Sequence, residues 1–144
     1  MKMFAFAVAA LAIAGTAQAQ APARLDANSA TAAELAAVKE LTPGSAQTIV
    51  AKRPFAGPAA FDAAVGAGLS VEQKTALYSK VFVPIDLNKA TREEIMLIPG
   101  MTRRMAHEFE EYRPYTSLAQ FDKEIGKYVD AAEVARLRSY VVLK

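Results

Sequence analysis

Residues 98–106 read Ile-Pro-Gly-Met-Thr-Arg-Arg-Met-Ala, an order suited to holding a phosphate. Gly100 lets a backbone turn come close to an oxyanion, because no Cβ stands in the way. A helix starting just after such a turn offers unpaired N–H groups and the positive end of its dipole. Met101 and Thr102 complete the turn, Thr102 bringing a hydroxyl, and Arg103 and Arg104 add charge-assisted donors where the helix begins. Contacts of this kind grip a sugar-phosphate chain without reading its bases. The plainer alternative is a bend between two packed helices, with both arginines solvated and Arg104 paired with Glu108 one turn on.

Other chemistry is thinly represented. His107 is the single histidine, and Glu111 stands where a zinc-binding helix would need a second one, so no metal site is expected. No carboxylate pair or nucleophile–base set stands out, which predicts neither an enzyme nor a cofactor. Arg53 and Arg113 fall at helix C-termini, where a cation complements exposed carbonyls. Phe55, Phe61, Tyr115 and Phe121 are expected in the core rather than as base-stacking platforms.

The N-terminus sets the compartment. Lys2 is followed by an apolar run from Met3 to Ala14 and then by Ala17-Gln18-Ala19, the small-x-small pattern of a secretory signal cleaved after Ala19. The apolar run falls short of the about 20 residues that span a bilayer. With no cysteine, neither a lipid-attachment thiol nor a disulfide is available. The expected mature chain, Gln20 to Lys144, is periplasmic or secreted. Without Lys2 its bases number 16 against 15 acids, so it lacks the bulk positive charge of a strong nucleic-acid binder.

What must position the candidate turn is a repeat. A gapless shift of sixty lays residues 25–38 on 85–98, Arg53-Pro54 on Arg113-Pro114, Phe61-Asp62 on Phe121-Asp122 and Gly66 on Gly126. Two units follow, 20–84 and 85–144. Capping boxes at Thr31-x-x-Glu34, Thr91-x-x-Glu94 and Ser70-x-x-Gln73 open helices. Ser117-x-x-Gln120 and Asp130-x-x-Glu133 open two more. The two Arg-Pro pairs end helices, since the residue before proline avoids α geometry. The pattern predicts an all-α chain with four short helices in each unit, and extended tails at "VFVPI" and "YVVL".

Three stretches, Asn88-Lys89-Ala90-Thr91, Ile98-Pro99-Gly100 and Tyr112-Arg113, together make residues 85–144 resemble the ComEA-like helix-hairpin-helix family. Residues 25–84 resemble it more weakly. The resemblance implies a tandem helix-hairpin-helix fold and sequence-independent binding of double-stranded DNA through hairpin turns, as in DNA uptake. The four turns then differ in promise. Gly100 to Arg104 is the main candidate, although Thr102 replaces the second glycine of the family's hairpin. Its counterpart carries Lys39-Glu40, and a carboxylate there repels phosphate. Gly66, Ala67 and Gly68 form a secondary candidate, and Lys127 beside Gly126 another. Near-neutral charge and the altered first turn favour a second reading, a helical module that docks a protein partner of the cell envelope without binding DNA.

Overall fold

The computed structural model describes residues 24–144, so the expected leader and its cleavage point lie outside the described residues. The chain is mainly helical, as the capping pattern predicts. Strand β1 (Leu25–Asp26) leads to α1 (Ala32–Ala36) and α2 (Pro43–Lys52). Next come α3 (Pro58–Phe61), running on into a wide π turn at Asp62–Gly66, α4 (Val71–Tyr78) and β2 (Val81–Phe82). The series then recurs as β3 (Ile85–Asp86), α5 (Arg92–Met96), α6 (Arg103–Glu111), α7 (Leu118–Ile125), α8 (Ala131–Arg138) and β4 (Val141–Val142).

The helices start where hydroxyls and carboxylates can satisfy first-turn amides. Both threonine capping boxes and the Ser70 box form as expected, each side chain and its partner three residues on exchanging bonds with the other's backbone. Asp130 accepts from the Glu133 N–H at 2.9 Å, and Ser117 from the Gln120 N–H at 3.1 Å. The extended tails are real strands, and their partners are the residues that open each series. β1 pairs in parallel with β2, Leu25 opposite Val81, and β3 pairs in parallel with β4, Ile85 opposite Val141.

Arg53 and Arg113 depart from expectation. Rather than facing their own helix ends, they reach back 26 and 23 residues to the loops that precede α1 and α5. Arg113 donates from Nε to the Leu87 carbonyl at 2.6 Å and from Nη2 to the Ala90 carbonyl at 2.7 Å. Arg53 does the same with the carbonyls of Ala27 and Ala30. The proline that ends each helix turns the arginine away from the helix axis, and a planar guanidinium spans two carbonyls at once. Asn88 completes this tie by donating to the Tyr115 carbonyl at 3.0 Å and accepting from the Tyr115 N–H at 2.7 Å. Asn28 and Phe55 repeat it.

One core runs through the molecule. Phe55, Phe61, Tyr78, Phe82 and Tyr140 form a chain of rings, neighbouring centroids lying between 5.2 and 5.6 Å apart. Phe82 and Tyr140 belong to different halves of the repeat, and the Tyr140 hydroxyl also donates to the Tyr78 carbonyl at 3.3 Å. Phe109, Phe121 and Tyr115 make the matching cluster of the second half.

The buried phenols carry a pH dependence. Burial pushes the Tyr115 hydroxyl up to about 12 and raises those of Tyr78, helped by the Asp62 carboxylate, and Tyr140. Unfolded tyrosines ionise near about 10. The native state therefore holds these protons more tightly, and the contribution of Tyr115 is intact below pH about 10 and lost as pH climbs through about 12. Thermal melts followed by circular dichroism should fall in midpoint over that interval. A flat midpoint would mean that the rings reach water in the folded protein.

Candidate functional site

The Gly100 turn is built by three elements. The Met101 N–H donates to the Ile98 carbonyl at 3.0 Å, closing a four-residue turn with Pro99 and Gly100 at its centre. Gly100 has φ +75°, which together with proline before it makes a type II turn. Thr102 caps α6, its Oγ1 accepting from the Met105 N–H at 3.1 Å. The α6 backbone N–H groups of Arg103 and Arg104 lie at the start of the helix and have no intrahelical carbonyl to meet. Among the described residues the Gly100 N–H finds no acceptor either. Gly100 to Arg104 thus presents several amide donors in a short span.

Both arginines are exposed, and among the described residues neither makes an ion pair. The expected Arg104–Glu108 pair does not form; the Arg104 guanidinium lies over the Tyr128 ring instead, 5.8 Å from its centroid. One of the acids that would oppose a phosphate is engaged elsewhere. Glu110 accepts from Arg92 of α5, at 2.9 Å from its Nε, while Glu111 is exposed, 3.7 Å from the imidazole of His107. His107 is exposed, and no cluster of three metal-type ligands gathers among the described residues.

The secondary candidates fare unevenly. Gly66 is buried, and a Cβ placed there would come within 2.3 Å of the Asp62 carboxylate and of the Tyr78 hydroxyl. Its missing side chain lets the π turn pack against α4, and Gly66 is closed off from solvent. Only Ala67 and Gly68 of that turn are exposed. Lys127 is exposed but held, bonded to the Glu124 carboxylate and lying 5.1 Å from the centre of the Tyr112 ring. Tyr112 and Tyr128 share a hydrogen bond at 2.7 Å, so Arg104 and Lys127 flank one tyrosine pair and the two turns of the second half adjoin. That bond is the chief reason the Tyr128 hydroxyl is held above the usual phenol range, with Glu108 adding to it.

Arg136 of α8 meets the candidate turn, a contact that sequence reasoning missed. Its Nη1 donates to the Pro99 carbonyl at 2.8 Å, while Nε and Nη2 grip the two Glu133 oxygens at 2.7 Å each. Glu133 is held below the usual carboxylate range by this contact. The signal was present as a correlated difference: at a shift of sixty, Pro99, Gly100 and Arg136 fall on Lys39, Glu40 and Ala76. The Lys39-Glu40 turn keeps its closing bond, Leu41 N–H to the Val38 carbonyl at 3.1 Å, but Glu40 has negative φ. It is a turn of the type I class, whose central peptide faces the other way.

Comparison with protein-family models, with curated proteins and with solved structures finds no match to this chain. Its residues and geometry carry the functional reading.

Proposed function

We propose that this is an exported, periplasmic or secreted protein of two tandem helix-hairpin-helix units that binds double-stranded DNA without sequence preference. In this reading the ComEA-like resemblance extends to role, DNA uptake included, and the protein catalyses nothing. The observation that carries the proposal is the type II turn at Pro99-Gly100, which opens directly onto the capped start of α6 with two exposed arginines free of carboxylates. The N–H groups of Gly100, Thr102, Arg103 and Arg104 would hold one phosphate, and the side chains of Arg103 and Arg104 its neighbours. Ala67 and Gly68 offer a weaker second grip.

Anisotropy of a random-sequence duplex, titrated with the chain from Gln20 to Lys144 across a salt series, tests this. A few phosphate contacts predict micromolar binding with a log–log slope of about −2 to −4, each contact giving about −0.9. Replacing Arg103 and Arg104 together by alanine should weaken binding about tenfold at low salt and flatten the slope by about 1.8. Helicity should be unchanged, because both side chains are exposed. A double variant that binds as tightly as the parent would sink the site assignment.

A specific feature favours the second reading, an envelope protein-docking module. An apolar trough of about 410 Å³ lies along α1 and α2, lined by Ala32, Ala36, Pro43, Ala46, Val50 and Ala51. Val50 there is 43% exposed. Its counterpart at a shift of sixty carries the Arg92–Glu110 ion pair. Absence of duplex binding even at low salt would move the assignment to this trough.

A further inference from the structure

We propose that Arg136 is a positioning residue that holds the Pro99-Gly100 turn in its phosphate-gripping form. The inference rests on the duplex-binding reading and adds the device that shapes the grip. In a trans peptide the carbonyl and the following N–H point in opposite directions. The Pro99 carbonyl is aimed at α8, where Arg136 Nη1 meets it at 2.8 Å. The Gly100 N–H of that same peptide is therefore turned away from α8, free to meet an anion. Flipping the peptide into the type I arrangement would break the Arg136 bond and swing this amide inward.

Two further observations point the same way. Gly100 has φ +75°, a conformation that side chains rarely adopt, and it lies directly beside Arg136, whose Nη2 would be 3.5 Å from a Cβ placed there, so the arginine and the turn are neighbours. The first half of the repeat lacks all three parts, Ala76 standing where the arginine would be and Lys39-Glu40 where the turn would be. Its turn does take the other form. Glu133 completes the device: by holding two of the guanidinium nitrogens it aims the third, and it offsets the charge. Arg136 thus shapes the turn, while Arg103 and Arg104 meet the phosphates.

Duplex anisotropy across a salt series on Arg136→Ala and Arg136→Gln separates positioning from contact. Loss of the latch lowers the fraction of turns in the gripping form, and affinity falls in proportion. Arg136→Ala should therefore bind about tenfold more weakly with an unchanged salt slope. Arg136→Gln keeps a donor for Pro99 without the charge, and should recover most of the affinity at that same slope. Binding by Arg136→Ala within about twofold of the parent overturns the proposal. So does a slope flatter by about 0.9 in both variants, which would make Arg136 a phosphate ligand. Should alanine unfold the chain, the glutamine variant decides through its slope and affinity. If the parent itself binds no duplex, the functional reading has failed and the latch is judged by nitrogen relaxation of the Gly100 amide. Order in the parent and motion in Arg136→Ala uphold it; equal order in both overturns it.

Discussion

Arg113→Met is expected to lower the stability of the folded chain by about 3 kcal/mol, each lost charge-assisted hydrogen bond contributing about 1.5. The guanidinium bonds the carbonyls of Leu87 and Ala90, both in the loop that delivers the chain from β3 to α5. Methionine preserves much of the aliphatic stem but leaves both acceptors without a donor in a half-buried site. Arg113→Lys should recover only part, since an ammonium cannot span two carbonyls as a flat fork does. Arg53→Met should behave alike in the first half, where the same two bonds are made to Ala27 and Ala30. Denaturant unfolding measures all three. A loss below about 1 kcal/mol for Arg113→Met would mean that water replaces the arginine at little cost, and the tie would lose its standing.

Phe82→Ala should cost more, about 3 to 5 kcal/mol by the usual range for a buried aromatic cut to alanine. Phe82 is 2% exposed and lies between Tyr78 and Tyr140, its ring 5.6 and 5.2 Å from theirs. It is the point at which the aromatic chain crosses from one half of the repeat to the other. Each half also has ties of its own: a strand pair, an Arg–carbonyl tie and an Asn bridge. Calorimetry should therefore show more than a lower midpoint. The parent's single transition is expected to separate into two in the variant, since the aromatic contact between the halves is gone, the Tyr140–Tyr78 hydrogen bond is a weak substitute for it, and the internal ties remain. One transition, merely shifted, would show that cooperativity is carried elsewhere.

Much of the fold was legible in the sequence. Thr31, Thr91, Ser70, Ser117 and Asp130 announced helix starts because capping is a local bond, made within three residues. The rings of Phe55, Phe61, Tyr115 and Phe121 were assigned to the core, and they lie there. What stayed hidden was long in range or short in length. Two-residue strands show no periodicity, so the parallel pairing of Leu25 with Val81 had no pattern to reveal it. Arg113 reaches 26 residues back and Arg136 reaches 37, and no spacing rule links such positions. At the candidate site, Gly100 and the two arginines were readable from a short stretch of chain. The latch on Pro99 was not, nor was the burial of Gly66, since a glycine packed against side chains looks the same in sequence as one open to a ligand.

The strand pairs have a mechanical meaning. In each, a strand that opens a sixty-residue stretch runs parallel to the strand that closes it. Tension drawn along the chain pulls one strand of a pair backward and the other forward along their common axis. The bonds on either side of Leu25 and Ile85, such as Leu25 N–H to the Lys80 carbonyl and Ala27 N–H to the Phe82 carbonyl, are then loaded together rather than peeled in turn. Short as these strands are, their direction lets each half resist stretching as a buckle does, with the load shared across all of its bonds until they yield at once.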